Sequence, residues 1–116
     1  MEIIVEEIGD VAVAAVLANE LNLSNSPEFK RVIAPVLEAN MKVVIDLTRV
    51  HFVDSSGIGA LLLCFQQMTA KQGDFRLCGL SKRVREVVEL VRIDRIVEIA
   101  GSKEEAVDAL STGHSI

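Results

Sequence analysis

The chain of 116 residues has no tryptophan, no tyrosine and only four phenylalanines. Stacking of bases on aromatic rings is therefore nearly closed to it. Its net charge of −5 gives it no basic face for neutralising phosphates, so both counts argue against nucleic acid as a partner. Cysteine is almost as scarce. Cys64 and Cys78 each sit among apolar neighbours and read as two buried free thiols of a reducing compartment. With two histidines besides, ligands at metal-binding spacing are missing, and neither a metal nor a cofactor is expected. The longest unbroken apolar run, residues 11–18, is too short to span a bilayer. Met1, Glu2, Ile3 and Ile4 lack the positive start of a secretory signal, so the expectation is a cytoplasmic protein without membrane attachment. What remains is rich in Val, Ile, Leu and Ala: half the residues are hydrophobic and a quarter charged, enough for one domain with an aliphatic core over residues 1–116.

Hydrophobic periodicity divides that domain into alternating elements. Residues 3–7 and 10–18 read as strands joined at Gly9-Asp10, a hairpin signal. After a polar loop at 22–27, Ser26, Pro27 and Glu28 form a helix start: a capping serine, proline at the first turn, then an acid. Phe29, Val32, Ile33, Val36 and Leu37 continue it as one apolar stripe, with Pro35 expected to kink the rod and Asn40 to close it. Residues 42–47 are a buried strand by their Val/Ile content, 60–72 a second helix, 75–80 a strand, and Ser81 the cap of a third helix. A short strand at 95–100 follows. Ser102 and Glu105 then make a capping box for a last helix to about Leu110, with a polar tail from Ser111. The order implies an α/β fold: a mixed, mostly parallel sheet of about five strands with about four helices.

The informative stretch is Asp54-Ser55-Ser56-Gly57-Ile58-Gly59, between a β-branched segment and a strongly apolar helix. Two hydroxyls and a carboxylate there meet the unpaired N–H groups and positive dipole end of a helix, which would hold a phosphate placed on a hydroxyl. Capping alone explains one polar residue or two, not three in a row followed by two glycines. The glycines Gly57 and Gly59 read as backbone that a large partner can approach. A serine nucleophile would need a base within reach. His51 lies at the tail of a strand-like segment and His114 in the polar tail. The nucleophile-elbow pattern lacks its first glycine, and a phosphate loop would need a lysine that is missing. Further along, Ile58, Leu61, Leu62, Phe65 and Met68 fall within about 120° on a helix and form a buried face. Leu63 lands opposite, with Ala60 and Gln67, either as a docking surface or as a residue covered by another helix of the domain. Lys82, Arg83 and Arg85 at the start of the third helix read as a solvated face or as a patch for an acidic partner.

The motif Val53-Asp54-Ser55-Ser56-Gly57-Ile58-Gly59 resembles the signature of the STAS domain, the fold of bacterial anti-sigma factor antagonists. The resemblance extends through Glu20-Leu21, Val44-Ile45-Asp46-Leu47, Phe75-Arg76-Leu77-Cys78-Gly79-Leu80 and Ile93-Asp94-Arg95-Ile96 to the closing helix at Ser102. It implies a STAS-like single domain and a non-enzymatic, partner-switching role in transcription regulation. The unmodified antagonist binds an anti-sigma factor that is also a GHKL-type serine kinase. Phosphorylation of the first signature serine, here Ser55, releases it, and a PP2C-type phosphatase resets it. Asp54, Ser56, Gly57, Gly59, Ala60, Leu63 and Asn22 are the expected partner-contacting residues. Two departures stand out: Asn22 occupies a position where many relatives carry Asp, and Arg92 one where many carry Gly. Asn22 keeps open an alternative, a STAS module that binds as an unmodified scaffold or senses a small ligand or nucleotide. A serine-nucleophile enzyme is the third reading.

Overall fold

A computed structural model describes residues 1–112; the end of the expected polar tail, with His114, lies outside them. Strands β1 (Ile3–Ile8), β2 (Val11–Val16), β4 (Lys42–Asp46), β6 (Asp74–Cys78) and β7 (Glu98–Ala100) form one sheet in the order β1-β2-β4-β6-β7. β1 and β2 are the antiparallel hairpin turned at Gly9, and the other neighbours are parallel. The short strands β3 (Glu20–Leu21) and β5 (Phe52–Val53) pair in parallel as a separate ribbon, which sequence patterning does not reveal at two residues each.

Helices α1 (Ser26–Ala39), α2 (Ser55–Ala70) and α3 (Lys82–Leu90) cover one face of the sheet. Phe29, Ile33, Leu61, Met68, Val84 and Val88 meet Ala14, Val43, Ile45 and Leu77 there in the main core. Helix α4 (Lys103–Thr112) covers the other face, where Ala106, Val107 and Leu110 meet Val11, Val13, Val44 and Cys78. The central strands are thus buried on both faces, and this is why they read as continuous aliphatic runs.

Several boundaries differ from expectation. The cap of α1 is Asn25 rather than Ser26; Ser26 is buried as the first helical residue, its hydroxyl donating to the Asn22 carbonyl at 2.7 Å. α1 runs unbroken through Pro35, which is exposed, so water can serve the carbonyl that the proline leaves without a donor. Asn40 closes it as expected, its amide donating to Val36 O at 2.9 Å. α2 starts at Ser55, five residues before position 60: the Asp54 cap, typically about 1 kcal/mol, and the burial of Ile58 and Leu61 together offset the roughly 1 kcal/mol that each of the two glycines costs a helix. The expected strand at 95–100 is shorter. Ile93–Arg95 is a 3₁₀ turn in which the Ile96 and Val97 N–H groups both donate to Ile93 O, leaving only Glu98–Ala100 for the ladder.

Candidate functional site

The β3–β5 ribbon sets the geometry of the serine motif. His51 N–H donates to Asn19 O at 2.7 Å and Asp54 N–H to Leu21 O at 3.1 Å, so the chain enters α2 pinned alongside the loop that leads to α1. Asp54 is the N-cap of α2 and uses both carboxylate oxygens. One accepts from Gly57 N–H at 2.9 Å; the other accepts from Leu23 N–H, across the gap to the other loop, at 3.0 Å. Donation first by Gly57, then by Leu23, holds the Asp54 carboxyl below the usual carboxylate range. It is an anion in the folded protein near neutral pH.

Asp54 does the capping, which leaves Ser55 free of that task. Ser55 is the first residue of α2, is exposed, and its hydroxyl has no hydrogen-bond partner among the described residues. No general base among the described residues is therefore hydrogen-bonded to it. Ser56 is half-buried.

The two glycines differ. Gly57 is buried, and a Cβ built on it would stand 2.4 Å from Leu21 O and 2.8 Å from Leu21 Cβ. It is a glycine so that α2 can lie against the chain's own β3, not to admit a partner. Gly59 is exposed, and a Cβ there would meet nothing within 4 Å. Ala60 also departs from expectation: it is 2% exposed, not part of an open face. It forms part of the lining of an open groove of about 400 Å³ between the first turns of α1 and α2. Leu63, 37% exposed, and Leu23, 74% exposed, line the same groove, with Lys30, Pro27 and Gly59. Leu23 was missed at the sequence level. The signal was there, an aliphatic side chain in a loop otherwise polar from Asn22 to Ser26.

Asn22, expected at the partner surface, is engaged within its own loop. Its side-chain oxygen accepts from Ser24 and Asn25 N–H, and its amide donates to Glu20 Oε1 at 3.1 Å. An aspartate could accept the first two but would face the Glu20 carboxylate with a like charge, which is a local reason for asparagine here. Of the basic cluster, Arg83 lies over the Phe52 ring at 4.8 Å and Arg85 approaches Glu89 at 4.0 Å, so two of the three cations have partners within the domain.

At this capped helix start neither the Ser55 nor the Ser56 hydroxyl has a hydrogen-bond partner among the described residues, and Ser56 lines the adjacent groove. The STAS domain profile matches residues 2–106, and the chain belongs to the STAS domain family. It is 31% identical over 113 residues, 97% of either chain, to BtrV of Bordetella bronchiseptica, named as a candidate anti-sigma factor antagonist. It is 30% identical over 91 residues to the anti-sigma-B factor antagonist of Listeria monocytogenes, covering 77% of this chain and 79% of that one. A candidate anti-sigma factor antagonist of Thermotoga maritima has a crystal structure that superposes with a TM-score of 0.85 at 25% identity, over 94% of each chain. No helix among the described residues is long and apolar enough to cross a membrane.

Proposed function

We propose that this protein is a cytoplasmic anti-sigma factor antagonist that binds an anti-sigma factor acting also as a GHKL-type serine kinase. In this reading the kinase phosphorylates Ser55, the modified protein lets go, and a PP2C-type phosphatase restores it. The observation that carries the reading is Ser55 itself: exposed, first in α2, and unengaged because Asp54 performs the capping. The anti-sigma names of the relatives supply the class of partner. A phosphoserine adds about −1.5 to −2 charges beside the Asp54 carboxylate, inside whatever interface covers the motif. A loss of about 1–2 kcal/mol, five- to thirtyfold in affinity, is enough for a switch. The dipole end of α2 tolerates the phosphate, so the fold need not change.

The test is incubation with ATP and a purified GHKL-type anti-sigma kinase from the same genome, followed by peptide mass spectrometry and binding measurements. One phosphate at Ser55, none in Ser55→Ala, and weakened binding by Ser55→Asp are expected. Phosphate confined to Ser56 or elsewhere refutes the site. Stable binding of the kinase with no phosphate added favours the unmodified scaffold, and labelling of Ser55 by a serine-reactive phosphonate would favour an enzyme.

A further inference from the structure

The groove between the first turns of α1 and α2 carries a charge of its own. Its walls are largely apolar, formed by Leu23, Pro27, Ala60 and Leu63. Lys30 is the only charged side chain among the residues that line it. Lys30 is exposed, and its amine makes no ion pair or hydrogen bond among the described residues. The charges around it are engaged elsewhere. Glu28 pairs with the Met1 amine and with Arg31 at 3.8 Å. Asp54 turns its two oxygens onto the Gly57 and Leu23 N–H groups, and Glu20 accepts from the Asn22 amide. One turn further along α1, a second cavity between the same helices is lined by Ala34, Glu38 and Lys71. Both signs of charge meet there, so that end selects neither. Lys30 alone sets the sign of the groove, positive in a chain of net charge −5.

We propose, resting on the partner-switching reading, that the groove receives an acidic and apolar segment of the anti-sigma kinase. An apolar side chain sits between Leu23 and Leu63, and a carboxylate of the same segment pairs with Lys30. Ser56 lines this groove, so its occupant lies against the residue next to Ser55. A phosphate on Ser55 repels a carboxylate held there, whereas it would attract a cation. Release on phosphorylation therefore calls for an acidic occupant, and Lys30 is the cation that recruits it. Burial of the apolar side chain supplies affinity, and Lys30 supplies the choice of sign.

Titration calorimetry tests it, with the full chain, unmodified, and a purified GHKL-type anti-sigma kinase from the same genome. ADP replaces ATP so that no phosphate is transferred. Lys30→Glu should weaken binding about tenfold or more, because an attraction becomes a repulsion. Lys82→Glu makes the same charge change at an exposed position on α3 and should stay within about twofold of the wild type. Gly59→Gln adds a side chain to the groove at a position where a Cβ meets nothing within 4 Å. It should keep the fold, checked by its melting temperature, and weaken binding about tenfold by occupying the partner's place. Equal affinity of Lys30→Glu and Lys82→Glu overturns the acidic occupant, and it does so even if the kinase modifies Ser55 normally with ATP. Tighter binding by Lys30→Glu overturns it in favour of a basic occupant. So does a Lys30→Glu effect confined to the protein already phosphorylated at Ser55, which would assign the lysine to the phosphate. Gly59→Gln binding as the wild type does shows the groove empty in the complex and overturns it as well. If the Lys30 discrimination holds and ATP adds no phosphate at Ser55, only the phosphorylation step fails. A kinase that binds no form of the protein overturns both.

Discussion

Two glycines one helical turn or less apart should answer the same substitution with opposite signs. In Gly57→Ala the new methyl group would lie 2.4 Å from Leu21 O, 2.8 Å from Leu21 Cβ and 2.9 Å from Leu21 C. Optimal contact is about 3.5–4.0 Å, so the overlap is about 1 Å against atoms at or next to backbone. Leu21 is fully buried, its carbonyl accepts from Asp54 N–H, and it is paired in register with Val53, so it has no room to retreat. Overpacking of this kind costs about 1–3 kcal/mol, and a stretched Leu21–Asp54 hydrogen bond adds about 1 kcal/mol. Against this stands the gain of about 1 kcal/mol for alanine over glycine inside a helix. The net expectation is a loss of about 1–3 kcal/mol, a melting temperature roughly 4–12 °C lower. In Gly59→Ala the propensity gain meets no opposing contact, since nothing lies within 4 Å, and about 0.5–1 kcal/mol of added stability is expected. Urea unfolding followed by circular dichroism reads both, with unchanged m-values showing that the native state is what moved. If Gly57→Ala matches the wild type, or Gly59→Ala is the weaker of the two, the packing of α2 on β3 described here is wrong.

Two further outcomes are expected. Arg92 holds a left-handed backbone at φ 65° where α3 ends, a conformation that costs a side-chain-bearing residue about 1–2 kcal/mol. After the entropy that glycine loses on folding, Arg92→Gly should gain up to about 1 kcal/mol, visible as a higher melting temperature. Burial pushes the Cys64 and Cys78 thiols up to about 12, so neither should react with a thiol reagent at about pH 8 until urea is added. The unfolded thiols ionise from about pH 9 while the folded ones keep their protons, so stability should fall as pH rises from about 9 towards 12. The chain has no tyrosine to add a slope of its own, but Lys103, raised by its hydrogen bond to Glu6, adds one of the same sign at higher pH, so the urea midpoint of the wild type is compared with that of Lys103→Met; a profile of that variant flat above about pH 9 would place the thiols nearer solvent.

The parts of this molecule legible in the sequence are those governed by periodicity over many residues. The strand content of Val43, Val44 and Ile45 and the stripe of Phe29, Ile33 and Leu37 each repeat a local rule several times, and the structure buries all six. What stayed hidden depends on contacts between distant segments. Gly57 looks like a flexible residue until Leu21, thirty-six positions earlier, is laid against it. Ala60 reads as exposed on a helical wheel because the wheel contains no α1. Asp54 could be recognised as a cap, but its second hydrogen bond, to Leu23 N–H, needs the β3–β5 ribbon, and two-residue strands leave no periodicity to detect. The paired role of Arg83 likewise needs Phe52, which only the fold brings near.

The doubly bound carboxylate of Asp54 bears directly on how the proposed switch would work. A new phosphate on Ser55 would be eased if its neighbour could take up a proton or swing away. Asp54 is held against both. The N–H groups of Gly57 and Leu23 keep it ionised, and releasing either would leave a helix start or a loop without its partner. The phosphate and the fixed carboxylate would together present a concentrated negative charge to any surface that covers Ser55. The same carboxylate fixes the backbone of Leu23, whose exposed side chain lines the groove together with Leu63. Charge and apolar docking surface are thus mounted on one residue's hydrogen bonds. A partner seated between the two leucines would meet the phosphate without any rearrangement of the domain, so the switch would act through affinity alone.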